Sequence, residues 1–262
     1  MSDALVGHTG FVGGNLAAQH RFDAVFSSKT IDGIRGKHFR RLVVSAMPAE
    51  MWVANRDPVA DRANLERLWA NLEQCRADEC VVISTVAVYS TPICVDEGSM
   101  IEPNFSTPYG EHRWVLEQRA RRHFPRSLSV RLPGLYGPGL KKNAVYDLLH
   151  DNRADKLHAG ATYQFYHLGR LGRDIETALA AGLRLVNLAT APVSVRDVAR
   201  AAFGRDFTND PGTHPACFDV RTKHAELFGG RGDYLETREQ VLAGLTRFVA
   251  AARAATAPRL AA

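Results

Sequence analysis

The chain has 262 residues, 45% of them hydrophobic and 23% charged, with 33 Lys and Arg against 28 Asp and Glu for a net charge of +5. That composition excludes a disordered or fibrous chain, and the length lets roughly 70–75% of the unfolded surface be buried on folding. No stretch reaches the roughly 18 apolar residues of a membrane span, and the positive excess is scattered without a run of like charge, so we expect a cytoplasmic protein with no membrane or nucleic-acid partner. A small phosphorylated ligand fits the same charge.

In chain order, short β-branched runs predict strands at 4–6, 23–27, 42–46, 80–84, 128–131 and 184–188. Between the third and fourth, Pro58 to Ala77 carries Leu65, Leu68, Leu72 and Cys75 at three- and four-residue spacing, the stripe of an amphipathic helix that opens on Pro58. Strands alternating with such helices predict an α/β fold with a doubly wound parallel sheet, Rossmann-like in its winding. After about residue 138 the rhythm loosens into a helical pattern at 141–152 and the aromatic run Tyr163-Gln164-Phe165-Tyr166-His167, which predicts a smaller, interleaved C-terminal lobe. Ser194 starts a further helix, and Thr237 with Gln240 forms a capping box ahead of the last one, whose Ala-rich end at 250–262 should fray into a loose tail. The four cysteines (Cys75, Cys80, Cys94, Cys217) contain no C-x-x-C pair and read as reduced core thiols. Trp52, Trp69 and Trp114 read as packing residues. No H-E-x-x-H or G-x-S-x-G spacing occurs, so no metal site and no hydrolytic serine are expected.

Directly after the first strand stands Gly7-His8-Thr9-Gly10-Phe11-Val12-Gly13, leading into a helix. A dinucleotide's pyrophosphate is held by backbone N–H groups at a helix N-terminus, where side chains on the turn would hold it away. Gly7, Thr9, Gly10, Phe11, Val12 and Gly13 are therefore candidate cofactor contacts. The second strand ends in Phe26-Ser27-Ser28-Lys29-Thr30 without the acid that would grip an adenosine ribose. Ser28 and Lys29 suit a 2′-phosphate instead, which favours NADP, with NAD as the alternative; an ordinary polar turn is the other reading of these two residues.

The fourth strand delivers Ser84-Thr85, and about twenty residues on Thr107 and Pro108 open a helix with Tyr109 and Arg113 four apart on one face. A hydroxyl facing a phenol beside a fixed cation can move a proton to or from a carbonyl while hydride moves at a nicotinamide. Thr85, Tyr109 and Arg113 are the candidate catalytic residues.

These motifs together resemble the extended short-chain dehydrogenase/reductase family of NAD(P)-dependent epimerases, dehydratases and reductases. Gly7, Gly10 and Gly13 match its glycine turn, Ser84 to Tyr89 its S-S/T-x-x-V-Y strand end, Pro108-Tyr109-Gly110 the start of its catalytic helix, and Arg131 to Gly139 its R-x-x-N-V-Y-G-P-G loop. The resemblance implies a dinucleotide-binding domain over 1–138, with 139–262 supplying a substrate lobe together with a further strand and helices of the main domain. It implies that Thr85 orients the substrate carbonyl and Tyr109 is the general acid/base. Ala46, Pro133 and Leu135 complete the expected cofactor contacts. The substrate would be a small sugar-like or nucleotide-sugar molecule, and homodimerisation through the helix bearing Tyr109 is common in such proteins.

Two departures stand out. Arg113 replaces the family's lysine, which holds the nicotinamide ribose and lowers the tyrosine's pKa; arginine keeps the charge but cannot release a proton. Gly134 stands where many nucleotide-sugar enzymes carry an asparagine. The chain is also short between its second and third strands and in the substrate lobe. His167, Tyr166 and Arg170 either line the cleft or pack in the core. The function implied is hydride transfer with Tyr109 as acid/base; the alternative is a sensor or scaffold that binds the cofactor without turnover.

Overall fold

Apolar runs buried on both faces build a six-stranded sheet from β1 (Asp3–Val6), β2 (Ala24–Phe26), β3 (His38–Val44), β4 (Arg76–Thr85), β5 (Arg126–Leu132) and β6 (Leu185–Asn187). Every pairing is parallel, in the order β6-β5-β4-β3-β1-β2. The computed structural model describes residues 2–256 apart from Pro103 and Ser106, and the tail expected after the last helix lies outside the described residues.

Two-residue alternation sends side chains to opposite sides. Ala4, Val6, Leu42, Val44, Cys80 and Val82 meet Leu65, Leu68 and Leu72 of α3 (Pro58–Leu72) and Leu116 and Ala120 of α4 (Pro108–His123). Leu5, Val43, Val81 and Leu128 meet Leu16 of α1 (Phe11–Gln19) and Leu171, Ile175 and Ala178 of α6 (Leu171–Ala180). Helices on both faces make the sheet doubly wound. The classic dinucleotide order is 3-2-1-4-5-6, with ligand bound where the winding reverses. Here one outer strand is missing beside β2, consistent with the short connection to β3, and the reversal falls between β1 and β3.

A third core joins α5 (Ala144–His150), α7 (Val195–Phe203) and α8 (Arg238–Thr256) around Phe165, Val193 and Tyr136. A short parallel pair, Gly134–Tyr136 with Phe165–His167, ties it to the end of β5. The expected caps are present: Ser194 Oγ accepts from Asp197 N at 3.1 Å, and Thr237 and Gln240 bond reciprocally.

Several sequence expectations need correction. β3 begins at His38 rather than 42 and β4 at Arg76 rather than 80, so the α3 helix stops at Leu72. The added strand residues bury only Phe39 and Ala77 among polar neighbours and are held by the backbone ladder and by Arg41–Glu79 and His38–Asp78 pairs, which hydrophobic pattern does not report. Cys75 therefore lies in the connection after α3 and Cys80 inside β4. Those two thiols are buried, but Cys94 and Cys217 are exposed. Trp52 is 60% exposed on α2 (Met51–Arg56), with the Arg56 guanidinium 4.9 Å over its ring, and is not a packing residue. α6 was not anticipated, and the helix expected over 141–152 is shortened because Asn143 caps its start and Asp151, in the left-handed region, ends it.

Candidate active site

The three glycines of the first turn meet different requirements. Gly7 has φ +91°, and a Cβ there would stand 2.1 Å from the Ser45 carbonyl oxygen, where β1 passes the end of β3. A Cβ on Gly13 would stand 2.1 Å from the Gly7 oxygen, so Gly13 lets α1 pack on the turn. At Gly10 the nearest atom to a Cβ would be 3.4 Å away; this residue needs no glycine for packing, and its bareness leaves a concavity before α1. Gly10 is the N-cap of that helix, with no side-chain cap and no acid in the first turn. The leading N–H groups and the positive helix end are thus left to an outside anion, and the diphosphate of a dinucleotide fits that cradle.

Thr9 is exposed beside this cradle, Phe11 and Val12 are half-buried at the helix start, and Ala46 lies half-buried against Gly7. The loop after Tyr136 arches over them: Asn15 Nδ2 donates to the Pro138 carbonyl at 3.0 Å, and Lys142 pairs with Glu50 at 3.1 Å. At the end of β2, Ser27 N donates to Thr30 Oγ1 and Thr30 N to Ser27 O, both at 3.0 Å, closing a turn that presents Ser28 and Lys29 to solvent.

Thr85 ends β4, its hydroxyl accepting from Ala87 N at 3.1 Å. Thr107 caps α4 by accepting from Gly110 N at 3.2 Å, and Pro108 fills the first helical position. A Cβ on Gly110 would lie 2.1 Å from the Ala87 oxygen, so only glycine lets α4 come this close to the end of β4. That approach brings the Tyr109 phenol within hydrogen-bonding reach of Thr85. Asn55 Oδ1 holds Tyr109 N at 3.1 Å.

Arg113 lies beneath the phenol, its guanidinium carbon 3.8 Å from the ring centroid. It is 3% exposed. Its terminal nitrogens donate to Asp61 Oδ2 at 2.5 Å and Oδ1 at 3.1 Å, to the Pro48 carbonyl at 2.5 Å and to the Tyr109 carbonyl at 3.2 Å. His112 Nδ1 meets the same carboxylate at 2.7 Å. Like the lysine it replaces, Arg113 pulls the Tyr109 pKa down. Its terminal donors are committed to buried protein groups rather than free for a ribose, and the Tyr109 pKa is raised, because burial outweighs the pull of Arg113 and of the Thr85 hydrogen bond while Asp61 pushes it further up. Asp61 was missed in sequence, yet a signal was there: it falls four residues before Leu65 on the apolar stripe of α3, where a charge must have a partner.

Pro133 and Leu135 are half-buried at the end of β5, with the Leu135 carbonyl accepting from Asn143 Nδ2 at 2.7 Å. A Cβ on Gly134 would come 2.7 Å from the Gln164 oxygen, so the paired strand excludes a side chain there. Tyr166 is fully buried and donates to Asp174 at 2.8 Å, and Arg170 pairs with Asp174 and Glu236. Tyr166 thus packs in the core, and Arg170 braces it. His167 is half-buried beside Tyr136. Among the described residues no three His, Cys, Asp or Glu gather as metal ligands, and no helix is long and apolar enough to cross a membrane.

The chain superposes on a UDP-galactose 4-epimerase with a TM-score of 0.73 at 16% identity, covering 98% of this chain and 100% of that one. It matches RMD from Pseudomonas aeruginosa, solved with NADPH, at 0.72 and 17% identity over 96% of this chain and 100% of that one. A dTDP-4-dehydrorhamnose reductase from Clostridium acetobutylicum gives 0.71 and 14% over 97% and 100%. The shared fold is an α/β, Rossmann-like parallel sheet with helices on both faces. Within that fold the glycine turn, the β4 end and the start of α4 lie at the C-terminal edge of the sheet, where such folds hold their ligands. No family model matches the sequence, and no curated protein matches it either.

Proposed function

We propose that this protein is an NAD(P)-dependent oxidoreductase of the epimerase, dehydratase or reductase type acting on a nucleotide-sugar or sugar-like substrate. The observation that carries the reading is the meeting of the glycine cradle with the Thr85–Tyr109 pair on one edge of the sheet. The structural neighbours support it: one is a reductase, one an epimerase, and one an NAD-dependent NDP-hexosamine 5,6-dehydratase.

The leading N–H groups of α1 and the bare face of Gly10 would hold the dinucleotide's diphosphate, with Gly7 and Gly13 fixing the turn. Ser28 and Lys29 would meet a 2′-phosphate, making NADP the favoured cofactor. When bound, the nicotinamide supplies or accepts hydride. Thr85 donates to the substrate oxygen and orients it, and Tyr109 gives or takes the proton at that oxygen. Arg113 holds the phenol in place from beneath. Thermal denaturation with NADPH and NADH in parallel tests binding: at a hundred times its Kd a ligand stabilises by roughly 2.7 kcal/mol, which raises Tm by a few degrees. No shift with either removes the reading.

The burial of Arg113 on Asp61 favours a second reading, a dinucleotide-binding sensor without turnover, because the cation is withdrawn from the ribose. Tyr109→Phe separates them on a panel of carbonyl substrates. Turnover that the variant loses supports the enzyme; the absence of turnover in both, with binding intact, supports the sensor.

A further inference from the structure

We propose that Asp61 is a positioning residue that offsets the Arg113 charge beneath Tyr109 and so keeps the phenol protonated, the form that gives a proton to a substrate oxygen. The inference rests on the reading above and deepens it to the protonation state of its acid/base.

The geometry makes the case. A lone guanidinium 3.8 Å from a phenol ring would stabilise a phenolate strongly in a dry site. Here both Asp61 oxygens face that guanidinium at 2.5 and 3.1 Å, and Asp61 and Arg113 are each 3% exposed, so water does little to screen either charge. The phenol faces a pair in which Asp61 offsets part of the Arg113 charge. His112 sits behind Asp61 at 2.7 Å, α2 contributes the uncharged Asn55, and the end of β4 the uncharged Thr85. Arg113 and Asp61 are the charged groups that act on the phenol, and burial adds to the preference for its neutral form.

A neutral phenol gives a proton and does not take one. In a reduction, hydride adds to the carbonyl carbon as the reduced dinucleotide is oxidised. The C=O π pair moves to oxygen, the Tyr109 proton is transferred there, and water returns a proton to Tyr109. The reverse reaction follows the same path from the phenolate, so the pair sets the pH range over which each direction runs and not the balance between them.

The test is a phenol titration of the full chain without dinucleotide, followed by ultraviolet difference absorption, with Tyr109→Phe subtracted to isolate the one tyrosine. Asp61→Asn exposes the Arg113 charge and is expected to lower the Tyr109 midpoint by about one unit or more, a tenfold gain in phenolate. A folded Asp61→Asn with an unmoved midpoint overturns the proposal. If that variant does not fold, Asp61→Asn with Arg113→Gln carries the test. A midpoint within about half a unit of wild type supports an offsetting pair, and a larger rise overturns it by showing that Arg113 acted uncompensated. A second readout is the pH profile of the loaded enzyme: Asp61→Asn is expected to move the rise of alcohol oxidation with pH down by about one unit, in step with the phenol midpoint, and an unmoved profile overturns that part. If neither dinucleotide binds, the enzyme reading falls while the titration still reports on the pair.

Discussion

The Arg113 guanidinium is stacked 3.8 Å from the Tyr109 ring and forked onto Asp61 at 2.5 and 3.1 Å, so one cation links α3, α4 and the candidate acid/base. Removing one member of a buried pair strands the other. Arg113→Met is expected to cost about 3–5 kcal/mol, because Asp61 would stay charged with only His112 beside it. Arg113→Lys keeps the charge but loses the planar fork and the bond to the Pro48 carbonyl, and should cost about 1–3 kcal/mol. Urea denaturation of the three proteins checks the order; a neutral Arg113→Met would remove this account of the pair.

The glycine turn separates packing from binding. Gly13→Ala places a methyl 2.1 Å from a backbone oxygen that has no rotamer to escape into, so it should unfold the turn or displace α1. Gly10→Ala meets nothing closer than 3.4 Å and has an ordinary φ of −79°, so its cost should stay near 1 kcal/mol, the price of a poorer N-cap. Its methyl nevertheless fills the cradle. The expected result is a Gly10→Ala protein that melts close to wild type but gains no Tm with NADPH; a preserved ligand shift would show that the diphosphate does not lie there.

How much of this was legible beforehand depends on where the signal sits. Leu5, Val43 and Val81 announce a sheet covered on both faces because burial on two sides leaves a local record, and Thr107, Ser194 and Thr237 mark helix starts within four residues of the groups they cap. The partners of Asp61 lie 51 and 52 residues away, and the strand that excludes a side chain at Gly134 comes 30 residues later. No local pattern reports such meetings. The early starts of β3 and β4 were hidden by polarity, since His38, Arg40 and Arg76 look like loop until their ladder is seen. Trp52 misled because size suggests burial, whereas its neighbours leave it on the surface.

Cofactor choice is tested at Lys29. The residue is exposed, so its attraction to a 2′-phosphate is screened and modest. Lys29→Ala should weaken NADPH about three- to tenfold and leave NADH nearly unchanged, with the gap closing as salt is added. Equal effects on both coenzymes, measured by titration at two salt concentrations, would assign Lys29 to the turn alone.

Restoring the asparagine that Gly134 replaces should not restore a binding residue. Its Cβ would stand 2.7 Å from the Gln164 oxygen, and Gln164, just before the paired strand, is anchored by its bonds to the Thr190 and Val220 carbonyls at 2.5 and 2.7 Å. Gly134→Asn is expected to lower stability by about 1–3 kcal/mol through overpacking, seen as a reduced urea midpoint. A variant as stable as wild type would show that the two strands have room to part.

His167 sets an acid limit on stability. Burial lowers its pKa, helped by the positive charges of Arg170 and Arg247 and opposed by Glu236. The unfolded chain then binds a proton near the ordinary histidine value of about 6.5, while the native chain still refuses it. Stability is therefore unaffected by this group above that pH, falls as pH drops from there toward the lowered native value, and levels off once the native imidazole is protonated too. His167→Gln, uncharged at every pH, removes that contribution. The drop in urea midpoint between about pH 7.5 and about pH 5 should be smaller in the variant than in wild type; an equal drop would place the acid sensitivity elsewhere in the chain.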